Sequence, residues 1–207
     1  MKAIIASLIR SERAESAAEF AMVLPLLLLF LFGIIDVGRY MWALNTAEKA
    51  TQMGARYAVV SDPVAKAINT DFVNMGVPGG DPVPTTVFDS ATCTSSGNCT
   101  VSGTGGIDNS RDDTAFTNIV TWMQKFDGAI QASNVKVTYH NVGLGYSGDP
   151  NGPNVAALTT VQVEQMQFQP MLLFGGTITL PTVKASLTLE DGDCSVRTDP
   201  PDCGSSN

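Results

Sequence analysis

Few residues of this 207-residue chain could do chemistry, and their spacing argues against catalysis. A Ser-His-Asp or Cys-His site would have to be built on His140, the one histidine, which stands beside Asn141 at the end of an alternating run and reads as a strand-end surface residue. Asp108-Asn109-Ser110-Arg111-Asp112-Asp113 brings oxygen ligands together, but it lacks the spacing and terminal glutamate of an EF-hand, so it reads as a solvated loop leading into a helix cap. Gly143-Leu144-Gly145-Tyr146-Ser147-Gly148 has the form G-x-G-x-x-G. Asp149-Pro150 follows it where a dinucleotide site needs a helix. Asn98-Cys99-Thr100 fits a glycosylation triplet, a weak signal beside a cysteine able to pair. The sequence therefore predicts no enzyme, no cofactor and no metal. One acid stands out by position: Glu19 directly precedes an uncharged run from Phe20 to Ile35, and a carboxylate entering hydrocarbon is costly unless paired or protonated.

Four cysteines fall into two local pairs, Cys93 with Cys99 and Cys194 with Cys203, inside Gly, Ser, Thr or Pro-rich loops. Of three possible pairings the local one is simplest, since short loops close easily in an oxidising space. Zinc would want C-x2-C spacing, and these are C-x5-C and C-x8-C.

The apolar run sets the topology. Sixteen residues rise only about 24 Å against a hydrocarbon core roughly 30 Å thick, but Ala17, Ala18 and Val37, with flanking charges reaching for the interface, bring it into spanning range. Met22 to Phe32 shows no polar stripe, as a soluble amphipathic helix would. No A-x-A pattern follows the run, so cleavage after it as a secretory signal is not expected. Lys2, Arg10 and Arg13 precede it and place the N-terminus in the cytoplasm. Pro25 favours a kink or local opening, which membrane helices can bear.

Charge excludes one partner class. The chain carries −8, and without residues 1 to 14, which hold three basic residues and one acid, 9 basic residues face 19 acidic ones, a net −10. Nucleic acid is not a partner such a surface attracts.

Around these features the sequence predicts an α+β protein: a long N-terminal helix, part transmembrane and part extracytoplasmic, with a small antiparallel sheet. Residues 36 to 60 lack proline, and Ala47, Ala50, Gly54 and Ala58 share a face that packs either on the helix's own domain or on another subunit. Ser61-Asp62-Pro63 ends the helix. Residues 63 to 110 read as irregular, with one short helix near 64 to 75; a second helix runs from Asp112 or Asp113 to Gln131, capped by one of those acids. Strands follow at 135–139, 158–168, 177–180 and 183–190, giving a sheet of three or four. Met166 to Phe174 is locally apolar and reads as a core strand or a membrane-touching loop, too short to span.

Ala18-Glu19-Phe20-Ala21-Met22-Val23-Leu24-Pro25-Leu26-Leu27-Leu28, then Gly33-Ile34-Ile35-Asp36-Val37-Gly38-Arg39, closely resembles the N-terminal region of TadE-like proteins, as does Gly54-Ala55-Arg56-Tyr57-Ala58 in the helix beyond. Those are minor pilins, or pseudopilins, of bacterial tight-adherence (Flp-type) pilus systems. The resemblance covers about residues 14 to 60. It implies cutting by a prepilin peptidase between Ala14 and Glu15, which makes Glu19 the fifth mature residue; the residue before such a cut is usually glycine, and here it is alanine. The freed amine of a neighbouring subunit would then be a suitable cation for Glu19, and the pair would set the register between helices.

The expected organisation is a cytoplasmic leader at 1–14, a transmembrane and extended helix at 15–60, and an extracytoplasmic α+β domain with disulfide-pinned loops at 61–207. The expected function is assembly of an adherence pilus from the inner membrane, with other pilin subunits, the prepilin peptidase, the inner-membrane assembly platform and membrane lipid as partners. The competing class is a membrane-anchored binding module or adhesin that never enters a filament.

Overall fold

Helix α1 runs from Glu12 to Ala58 and passes through Pro25 without interruption. The computed structural model describes residues 12–149, 153–171 and 176–190, with side chains from Ser16 onward. The first half of α1 does not behave as a core helix: only 6% of its most apolar window is buried, and Phe20, Met22, Leu26 and Phe30 stand open. It is long and apolar enough to cross a membrane. Beyond Leu44 the helix becomes one-sided, with Ala47, Ala50, Gly54, Ala55 and Ala58 buried and Glu48, Lys49, Gln52 and Arg56 exposed. Thr51, also buried, is satisfied by donating its hydroxyl to the Ala47 carbonyl at 2.7 Å.

By its contacts the chain divides into two units, Met1–Ala43 with Gln167–Ile178, and Leu44–Met166 with Thr179–Asn207. In the second lies a five-stranded antiparallel sheet, made of β1 (Phe88–Cys93), β2 (Thr100–Gly103), β3 (Val135–His140), β4 (Leu158–Val163) and β7 (Val183–Thr188), in the order β2-β1-β3-β4-β7. Register fixes its buried face. Tyr139 pairs with Ala91 and Thr159, and Val137 with Cys93 and Val161, so period-2 alternation carries one row of side chains across the sheet. Each fully buried Val, Ile or Phe contributes roughly 1.5–3 kcal/mol.

Helix α2 (Asp113–Gln124) buries Phe116, Ile119, Val120 and Met123 at helical spacing. Asp112 caps it, accepting the Ala115 N–H at 2.9 Å, as its sequence predicts. It stops earlier than expected. Asp127 takes the Ala129 N–H into a local turn, and the Gln124 side chain donates to the Ile130 carbonyl at 2.8 Å, so the residues up to Gln131 leave the helix.

Other boundaries also differ from the sequence expectation. The stretch read as irregular contains the β1–β2 hairpin, hidden because most of its residues are Ser, Thr, Cys and Gly and because a register irregularity between Phe88 and Ser90 spoils the alternation. Five strands therefore replace three or four. The short helix near 64 to 75 is a single 3-10 turn, Lys66–Asn69. The long run from 158 breaks at Gln165, whose φ of 58° turns the chain out of the sheet. Past that break, β5 (Gln167–Phe168) pairs with β6 (Ile178–Thr179) as a separate two-stranded sheet.

Candidate functional site

The chemistry-bearing residues do not converge. Ala14 and Glu15 lie in the first turns of α1, with their side chains outside the described set, and Glu19 and Pro25 follow on its exposed surface. His140 ends β3 exposed, with Nδ1 4.0 Å from Asp89 Oδ1. Each acid of the 108–113 loop already has structural work. Ser110 holds the Asp108 carboxyl below its ordinary range by hydrogen bonds from its hydroxyl and its N–H, the latter at 2.8 Å. Asp112 caps α2, and Asp113 accepts from Arg111 at 2.7 Å. Among the described residues no group of three or more His, Cys, Asp or Glu could hold a metal ion. In the glycine-rich 143–148 stretch, Gly145 adopts φ +87° with Asn154 O 2.9 Å from where a Cβ would sit, so its glycine serves a close backbone approach.

Cys93 and Cys99 form a disulfide across the β1–β2 hairpin. Arg111 braces it, donating to the Thr94 carbonyl while its guanidinium lies over the Phe116 ring. Cys194 and Cys203 lie outside the described residues. Behind the hairpin, Tyr139 is fully buried and its phenol oxygen accepts the Val64 N–H at 2.9 Å; burial holds the phenol well above its usual titration range.

The small-residue stripe faces its own unit. A Cβ added at Gly54 would meet Met123 Cγ at 2.6 Å and Sδ at 2.7 Å, and one turn on, Tyr57 stacks on Trp122 with ring centroids 5.3 Å apart. Glycine is thus the residue that lets α1 and α2 approach.

The first unit holds a cluster that the sequence pattern does not single out. Asp36, which ends the apolar run, is 4% exposed; its Oδ1 accepts from Arg39 Nη1 at 3.3 Å and from the Met171 N–H at 2.9 Å. The Arg39 guanidinium lies 5.4 Å from the Phe168 ring centroid, and Tyr40 meets that ring edge-on at 5.5 Å. Of the apolar stretch from 166, Met166 and Phe168 are buried and Met171 is exposed; residues 172 to 174 lie outside the described set. The available signal is an acid standing directly after an apolar run, which must find partners at the membrane edge.

No curated protein and no solved structure matches the chain. Among protein-family models, the one described as TadE-like protein matches residues 15–56, the stretch that holds Glu19, the unburied apolar span, Asp36 and most of the small-residue stripe. The match lies wholly within the long N-terminal helix of a chain that joins such a helix to a small antiparallel sheet, a pilin-like α+β fold.

Proposed function

We propose that the protein is a minor pilin, or pseudopilin, that takes part in assembly of an Flp-type adherence pilus. The observation that carries this reading is that the TadE-like match takes in the helix half that the fold leaves unburied. A helix whose apolar surface stands exposed among the described residues is suited to a bilayer first and to neighbouring subunits afterwards. In this reading the N-terminus faces the cytoplasm, a prepilin peptidase cuts between Ala14 and Glu15, and the inner-membrane assembly platform draws the mature subunit out of lipid.

Glu19 supplies the register. As a subunit leaves the bilayer, its carboxylate pairs with the freed amine of a neighbour, an interaction strengthened where water is scarce. The disulfide-braced outer unit, with its sheet, is the part displayed to the surroundings. Replacing Glu19 by Gln or Ala tests the assignment: the variant inserts in the membrane normally but fails to support pilus assembly. Wild-type assembly by both variants rules out the pairing role.

A further inference from the structure

We propose that Met171 and Ile178 rest in the interfacial layer of the lipid bilayer, on the side where α1 emerges, as a second membrane contact of this protein. The inference depends on α1 spanning the membrane and is independent of the pilus assignment.

Height comes first. The uncharged run Phe20 to Ile35 ends at Asp36, so that residue marks the edge of hydrocarbon. The Met171 N–H donates to Asp36 Oδ1 at 2.9 Å, which puts the Met171 backbone at the same level. Phe168 gives a second fixing point, with the Arg39 guanidinium over its ring and Tyr40 edge-on to it. The segment is therefore tied to the helix within about one turn of the apolar boundary.

Chemistry then identifies what covers it. Met171 is 73% exposed and Ile178 is 40% exposed. A water-facing loop is ordinarily polar, yet no charged residue occurs between Glu164 and Lys184. The adjoining helix surface carries Arg39, Tyr40 and an exposed Trp42, the basic and aromatic types enriched where protein crosses from lipid to water. Shielding also explains how the Asp36 carboxylate survives at this depth: it is nearly fully covered and accepts from both Arg39 and the Met171 backbone.

The test uses the full chain in nanodiscs of phosphatidylethanolamine and phosphatidylglycerol, in a Cys194→Ser, Cys203→Ser background. Nitroxide labels are placed singly by Met171→Cys, Ile178→Cys, Leu28→Cys and His140→Cys, and collision with oxygen is compared with collision with a water-soluble nickel chelate. Labels at 171 and 178 should favour oxygen several-fold over the His140 position, approaching the Leu28 value. Water-like values at 171 and 178 beside a lipid-like Leu28 overturn the proposal alone. A water-like Leu28 overturns the spanning helix and the proposal together. Shielding from both reagents that grows with protein loading marks a second copy of the chain as the occupant and likewise overturns the lipid contact.

Discussion

Substituting alanine for Gly54 separates two uses of the small-residue stripe, as a seam inside the protein or as a face offered to another subunit. Mid-helix, Gly to Ala is worth about 1 kcal/mol in favour of the folded state. Here the added methyl would sit 2.6 Å from Met123 Cγ, well inside ordinary contact, and Met123 is fully buried. Overpacking of this kind costs about 1–3 kcal/mol. The clash wins, and the net expectation for Gly54→Ala is a loss of about 1 kcal/mol, moderated by the flexibility of the methionine. Met123→Ala alone opens a cavity and costs about 2–5 kcal/mol. In that background the new methyl enters vacated space, so Gly54→Ala becomes stabilising by about 1 kcal/mol and the coupling between the sites is about 2 kcal/mol. Urea unfolding of the full chain in detergent micelles, followed by the fluorescence of Trp122 where it stacks on Tyr57, measures all four corners of the cycle. Equal stabilisation by Gly54→Ala in both backgrounds refutes the packing argument. Unchanged stability with lost pilus assembly would instead make the stripe a subunit face.

Three further outcomes concern the outer unit. Removing the hairpin bridge with Cys93→Ser and Cys99→Ser should lower stability by about 2 kcal/mol, the loop-entropy value for so short a closure, seen as an earlier urea midpoint. Asp112→Ala should cost about 1 kcal/mol through loss of the α2 cap, while Asp112→Asn retains most of it in the same assay. Above a pH of about 10 the unfolded chain releases the Tyr139 proton while the folded chain keeps it, so stability falls by about 1.4 kcal/mol per pH unit. Tyr139→Phe should remove that component from a pH series of urea midpoints, at the expense of the Val64 N–H partner.

Legibility in the sequence tracks how much of each element's signal is local. The apolar run, the Asp112 cap, the β3 alternation and the start of β4 are decided by neighbours a few residues apart, and they stand close to where pattern alone puts them. The β1–β2 hairpin is illegible because its strands depend on a disulfide and on pairing with β3, a partner more than forty residues on, and its few buried apolar side chains, Phe88 and Ala91, do not alternate in the sequence. The end of α2 depends on side-chain turns at Asp127 and Gln124 that compete with helix. For the candidate site, the roles proposed for Glu19 and Ala14 rest on the leader-like pattern alone. The Asp36 cluster cannot be read from pattern, since Met171 reaches it from 135 residues away.

Processing at the start of α1 is read out by mass spectrometry of the native N-terminus. Pilus-bearing cells should yield a mature chain beginning at Glu15, with a free or methylated amine. An intact Met1 or Lys2 N-terminus in a strain with a working prepilin peptidase contradicts it, and leaves the protein an uncut membrane anchor.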